Sequence, residues 1–301
     1  MAQSVLNAPH FQSEPAAFAY VEARLWPSGP VCPHCGETAR IGALKGKTTR
    51  PGLYKCYACK KPFTVRIGTI FEDSHLPLHL WLQVIHLFCC SKKGIATRQI
   101  QRMLNCSMKT AWFLGHRIRL AMDPGYTGPI GGEGKIVEVD ETELAKSKKS
   151  KRLPRGLRPK NMKVLSLIER GGPIRSVTLD HRGIGPRLWA NLHPDARLVT
   201  DAASHYKGKA VMHQSVDHSK YEWARGDVHT NTLEGFFSVF KRGIIGVYQH
   251  VDSRHFDRYL AEFDFRMNTR AKLGINDQQR AEIALKGMQG KRLTYETALE
   301  A

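Results

Sequence analysis

The sequence predicts an α/β fold, a mixed sheet flanked by helices, preceded by a zinc ribbon and a helix-turn-helix-like helical segment. Three observations carry this. Two CxxC pairs, Cys32 with Cys35 and Cys56 with Cys59, are separated by twenty residues rich in Gly, Thr and Lys. Apolar residues at helical spacing then fill residues 76–122. After a Gly- and Pro-rich break at residues 123–134, short β-branched runs take over and give way to aromatic helices. The expected division is 1–72 for an N-terminal helix and the ribbon, 73–123 for the helical segment and 124–134 for a linker. Residues 135–270 form the larger domain and 271–301 a C-terminal tail.

The elements follow in chain order. Ser13, Glu14 and Pro15 are a cap residue, an acid and an early-turn proline, so a helix starts there and runs to Pro27. Each CxxC knuckle turns two thiolates to one side, and two knuckles complete a tetrahedron for Zn²⁺. Residues 63–71 alternate and read as ribbon strands. Cys89, Cys90 and Cys106 stand among apolar neighbours and read as core. Helices are expected at 76–88, 95–104 and 107–122, the last capped by Ser107. Helix, short turn, helix fits a DNA-binding arrangement, with Lys109, Arg117 and Arg119 toward phosphates; a plain three-helix bundle is the alternative. Strands follow at 135–140, 163–168, 174–179 and 197–200, with a hairpin at Gly171-Gly172-Pro173 and a short helix at 186–192. Further helices are expected from residue 229 and over 253–268.

Composition narrows the function. Of the 301 residues, 42% are hydrophobic and 24% charged, as in an ordinary globular protein. No apolar run reaches the roughly 18 residues of a membrane span, and no signal peptide is visible. Seven cysteines without a secretory leader argue against a disulfide framework. The formal charge of +19 points to a polyanionic partner, most often nucleic acid. Residues 145–160 alone carry eight Lys or Arg. This insertion, with Lys148, Lys149, Lys151 and Arg152 at its densest part, is expected to order on DNA or RNA. A solvated loop without a partner is its plainer reading.

Three carboxylates could do chemistry. Asp140 and Asp201 each end a β-branched run, and Glu234 stands on the amphipathic segment HTNTLEGFFSVFKR. Two strand-borne acids and one helix-borne acid can converge beside a sheet, and such hard oxygen donors suit Mg²⁺ or Mn²⁺. A pair of ions would serve an in-line phosphoryl transfer. Lys241 lies seven residues after Glu234 and so on the same helix face, where it and the adjacent Arg242 can meet a phosphate. The plainer readings are caps: Asn231 with Glu234 has capping-box spacing, and so does Asp140 with Glu143. Glu138, two residues before Asp140 and on the same strand face, is a rival ligand.

In order, VEVDET, LVTDAASHYKG and HTNTLEGFFSVFKRG resemble the DDE transposases of bacterial insertion sequences. With the ribbon cysteines Cys32, Cys35, Cys56 and Cys59, the chain is most similar to the ISXO-like group over roughly residues 17–270. The resemblance implies an RNase H-like catalytic fold with Asp140, Asp201 and Glu234 as the acidic triad. It also implies that Lys241 touches transposon-end DNA. Some relatives are described with asparagine as the third metal-site residue, so Asn231 stays open as cap or ligand. The implied activity is Mg²⁺-dependent strand cleavage and strand transfer at terminal inverted repeats, by a homodimer on paired ends. The implied setting is the bacterial cytoplasm, in association with the nucleoid. A zinc-ribbon DNA-binding regulator with an inactive nuclease-like domain is the alternative.

Overall fold

A single helical turn, α1 (Pro9–Gln12), leads to Ser13, whose hydroxyl accepts the Ala16 backbone N–H at 3.4 Å. The helix expected there follows as α2 (Glu14–Leu25) and buries Ala17, Phe18, Val21 and Leu25. The computed structural model describes residues 4–125, 128–144, 162–180, 183–206, 208, 210 and 212–294. The chain divides into two units, Met1–Pro124 with Ile275–Ala301, and Gly125–Gly274. Among the described residues no helix is long and apolar enough to cross a membrane.

In the first unit, β1 (Ile41–Ala43), β2 (Tyr54–Cys56) and β3 (Pro62–Phe63) form an antiparallel ribbon. The strand expected through residue 71 stops at Phe63. Thr64 and Thr69 bond local backbone, and the Gly68 N–H donates to Glu72 at 2.8 Å, so the chain coils into turns that bury Val65, Ile70 and Phe71. The helical segment comprises α3 (Leu78–Cys90), α4 (Thr97–Leu104) and α5 (Met108–Met122). Asn105 takes the left-handed conformation that ends α4, and the Ser107 hydroxyl caps α5 at Thr110, 3.0 Å away. The α3 start lies two residues later than expected because Pro77 occupies the cap position. Glu14 of α2 supplies the cap instead, accepting from the Leu78 N–H at 2.6 Å.

Two readings of this unit are corrected. Arg117 and Arg119 are only 5% and 2% exposed, which removes them from any phosphate. Arg117 donates to the carbonyls of Ile70 at 2.8 Å, Glu72 at 2.7 Å and Leu293 at 3.1 Å. The basic residues of α4 and α5 that stay exposed are Arg98, Arg102 and Lys109. Arg117→Met is therefore expected to lower stability by about 2–4 kcal/mol, since three carbonyls lose their donor. Urea unfolding measures this. The second correction is the tail: a C-terminal helix (Asp277–Lys286) carries a capping box at Asn276 and Gln279, and Arg280 bonds the Cys89 carbonyl at 2.7 Å. Of the three cysteines outside the ribbon that read as core, only Cys89 is buried; Cys90 is exposed and Cys106 half-buried.

The second unit is built on a five-stranded sheet. Its strands are β4 (Ile136–Leu144), β5 (Met162–Glu169), β6 (Ile174–Thr178), β7 (Arg197–Asp201) and β8 (His213–Val216), in the order β6-β5-β4-β7-β8. The β4–β5 and β5–β6 pairs are antiparallel, and β4–β7 and β7–β8 are parallel. The hairpin at 171–173 is present; β8 had no counterpart among the expected strands. One face packs on α6 (Ile184–Asn191) through Val137, Val139, Leu165, Leu167, Leu188 and Leu198. The other packs on α7 (Asn231–Gly243) and α8 (Phe256–Asn268). There Leu144, Val164 and Ile168 meet Leu233, Phe236, Phe240 and Phe263. The edge strand β6 is covered by α8: Asp264 and Asn268 each accept a backbone N–H, from Ser176 and Ile174, at 2.6 Å. The expected linker is only partly one, since Ile130 pairs with Leu192 and Gly131 packs against Ala196 and Val137 within this unit.

Candidate functional site

Each cysteine knuckle folds in the same way. The Gly36 N–H donates to the Cys32 carbonyl at 2.9 Å, and the residue after each second cysteine, Gly36 or Lys60, has positive φ. The four sulfurs lie within 4.8 Å of one another. Sγ of Cys32 and Cys59, and Sγ of Cys35 and Cys56, are each 3.7 Å apart. Zn–S bonds of about 2.3 Å give tetrahedral edges of about 3.8 Å, so the site fits zinc. Backbone N–H groups of Cys59 and Ala58 bring the Cys56 thiol down to about 7, toward the thiolate a metal needs. Around it Trp26 meets Tyr54 and Phe63 edge-on, both at 5.8 Å. So small a core needs its metal. Zinc removal by a chelator is expected to release one equivalent and shift Trp26 fluorescence as the strands come apart. Cys56→Ser should do the same without chelator; a ribbon that keeps its exchange protection without zinc would contradict this.

The acidic site is set by sheet register and by one buried glutamate. Parallel pairing puts Ile136 beside Arg197 and Glu138 beside Val199, an offset of 61 residues. The pairing ends there, and Asp140 and Asp201 each lie two residues further along these neighbouring strands, near enough for the Asp201 charge to act on Asp140. Asp140, Thr142 and Leu144 share the strand face that meets α7, and Leu144 packs in that layer.

Glu138 then fixes the helix. It is 0% exposed. Its carboxylate accepts the Thr232 N–H at 3.1 Å, the Thr232 hydroxyl at 2.9 Å and the Leu233 N–H at 3.3 Å. Arg170, at the end of β5, pairs with it at 2.9 Å and donates to the Asp227 carbonyl at 2.6 Å and the His229 carbonyl at 3.1 Å. Negative charge at a helix N-terminus satisfies orphan N–H groups and the helix dipole together. Glu138 is thus the cap of α7, not a rival ligand. The expected capping box of Asn231 and Glu234 is absent: the cap residue is Thr230, without a side-chain cap bond, and Asn231 is the exposed first helical residue. Glu141, not Glu143, is the acid engaged beside Asp140. It accepts from the Tyr206 hydroxyl and lies 3.1 Å from His205.

Pinned in this way, the first turn of α7 holds Glu234 where its charge reaches Asp140. Burial pushes the Asp140 carboxyl up to about 7 despite the Glu141 N–H it accepts, and the charges of Glu141, Asp201 and Glu234 add to the rise. Asp201 accepts the Ala203 N–H at 3.2 Å. Glu234 is half-exposed, accepts from the Thr230 hydroxyl at 3.3 Å and lies 3.5 Å from His218 Nε2. Among the described residues these carboxylates do not cluster as tightly as the four sulfurs. Lys241 and Arg242 stand exposed on the Glu234 side of α7, with Arg242 folded back onto Ser238 at 2.7 Å. Lys148, Lys149, Lys151 and Arg152 lie outside the described residues. Glu138, Arg170 and His218 were not assigned these roles from sequence; an acid with a strand-end arginine on the next strand was the available signal for the first two.

Comparison with known proteins places two domains along the chain. Residues 130–268 match the model of the ISXO2-like transposase domain, and residues 12–62 match that of the transposase zinc-ribbon domain. A curated relative from Halobacterium salinarum, described as an uncharacterized protein in transposable element ISH50, is 25% identical over 291 residues, covering 88% of this chain and 94% of the relative. The chain thus carries a transposase zinc-ribbon domain, which holds the four-sulfur cluster, followed by an ISXO2-like transposase domain.

Proposed function

We propose that the second unit is an RNase H-like nuclease fold whose Asp140, Asp201 and Glu234 hold divalent metal for DNA strand cleavage and strand transfer. The observation that carries this is a buried acid on β4, Asp140, whose carboxyl burial pushes up to about 7, with acids of β7 and α7, Asp201 and Glu234, near enough for their charges to add to the rise. A fold gains nothing from such a cluster alone, and hard oxygen donors suit Mg²⁺ or Mn²⁺. When bound, such ions would lower the pKa of a water or 3′-hydroxyl and stabilise the leaving 3′ oxygen. The chain's own contribution is placement: Glu138 and Arg170 fix α7, α7 presents Glu234, and Lys241 with Arg242 reaches a phosphate two turns on. Asn231, one turn before Glu234 and exposed, stays a candidate ligand.

DNA is the polyanion that the +19 charge awaits. The ribbon with Arg98, Arg102 and Lys109 would bind the terminal inverted repeats, and the 145–160 insertion would add phosphate contacts. Two ends must meet, so a homodimer on paired ends is part of the reading. A plasmid bearing the element's own ends tests it: Mg²⁺-dependent nicking at those ends is expected. Tight binding to one promoter-like site without any nicking would instead make the protein a regulator with an inactive domain.

A further inference from the structure

Between β8 and α7, residues 217–230 form a loop closed twice by its own hydrogen bonds. Asp217 accepts the Ser219 N–H at 3.0 Å through its side chain and the Glu222 N–H at 3.2 Å through its carbonyl, while its own N–H donates to the Glu222 carboxylate at 3.2 Å. Arg225 and Val228 exchange backbone bonds of 3.0 and 3.1 Å, and Arg225 donates to the Ser215 carbonyl at 3.0 Å. Between these closures the loop displays two large aromatics: Tyr221 is 86% exposed and Trp223 58%. Tyr221 is held at φ 60°, a left-handed conformation that residues with a Cβ rarely adopt. A rigid loop that spends backbone strain to hold aromatic rings in water is a binding feature in search of a flat ligand.

The ligand class follows from what stands next to the rings. Trp223 packs on the His218 ring at 4.8 Å between centroids, and His218 Nε2 is 3.5 Å from Glu234 Oε1. The aromatic display is therefore two contacts from the acid proposed to hold metal, on a chain of charge +19. Exposed aromatic faces with basic side chains nearby are how proteins hold unpaired bases, and the exposed Lys220 and Arg225 flank Trp223 in the same loop. We propose that Trp223 is a stacking platform for one unpaired DNA base beside the strand end being processed, with His218 setting the height of the indole over Glu234. The location rests on the phosphoryl-transfer reading above; the stacking itself does not.

The test is binding of the full-length protein in EDTA to three short duplexes. One carries a single unpaired 3′ nucleotide, one an abasic residue at that nucleotide, and one is blunt. Trp223→Ala should weaken binding to the first by roughly 5- to 150-fold and leave the other two unchanged. Trp223→Phe should keep most of the affinity. Wild-type protein should bind the abasic duplex as weakly as Trp223→Ala binds the unpaired one. Equal losses on all three duplexes, no loss on any, or a change of oligomeric state in sedimentation would overturn the proposal, the last by making Trp223 a contact between copies. Unchanged thermal unfolding of Trp223→Ala separates these outcomes from misfolding. A parallel Mg²⁺ nicking assay on wild type keeps the two readings apart. Base-dependent binding without nicking retains the platform and removes the nuclease; nicking without base-dependent binding does the reverse.

Discussion

Asp140→Asn is expected to abolish strand cleavage and joining while making the metal-free protein more stable. The loss of activity should be at least about a thousandfold, because several kcal/mol of transition-state charge stabilisation go with a metal ligand. The gain in stability follows from linkage. Burial pushes the folded carboxyl up to about 7 from its ordinary 3.8. Between those values the folded state holds a proton that the unfolded chain has released, so wild-type stability falls as pH rises through that window. Above pH 7 the ionised, buried carboxylate costs the fold on the order of 2–4 kcal/mol, which Asn does not incur. Urea unfolding in EDTA at pH 4 and pH 8 should show the mutant's advantage only at the higher pH. An advantage independent of pH would mean that Asp140 is not the strained group.

Glu138→Ala should be the most destabilising single change in the second unit. It leaves Arg170 partly unpaired, strips the cap from the Thr232 and Leu233 N–H groups, and opens a void at a fully buried position. Removing one partner of a buried pair costs about 3–5 kcal/mol, and a cap about 1 kcal/mol. Glu138→Gln keeps the shape and an acceptor for the N–H groups, so it should lose less. Because Glu138 sets the position of α7, Glu138→Gln should also lower turnover while binding DNA normally. A Glu138→Gln protein that binds metal less tightly yet is fully stable would return Glu138 to the role of ligand.

These two residues show where sequence reading stops. The three acids proposed as a triad stood out because Asp140 and Asp201 end β-branched runs and Glu234 lies opposite the apolar face of an amphipathic helix. The ribbon was legible because CxxC spacing is a local geometric constraint. What failed was non-local. Both α3 and α7 begin without a side-chain cap of their own, at Pro77 and Thr230, and each takes a carboxylate from a distant element, Glu14 or Glu138. No local pattern announces such a cap, so Glu138 looked like a ligand and Asn231 like a cap residue. Arg117 and Arg119 failed for a related reason. Charge on a helix suggests a phosphate, and only the fold reveals that Arg117 spans three carbonyls. The alternation at residues 63–71 was real, but threonine hydroxyls bonded to local backbone turned it into coil rather than strand.

The most direct measurement is strand transfer of a pre-cleaved 3′-hydroxyl end into target DNA by wild type and Asp140→Asn, with Mg²⁺ titrated and end binding followed in parallel. Joining that rises with Mg²⁺ for wild type and is absent for a mutant binding the end equally well is the result expected here. Joining by Asp140→Asn at the wild-type rate, or wild-type joining undiminished by EDTA, would contradict the assignment of Asp140, Asp201 and Glu234 as the metal site.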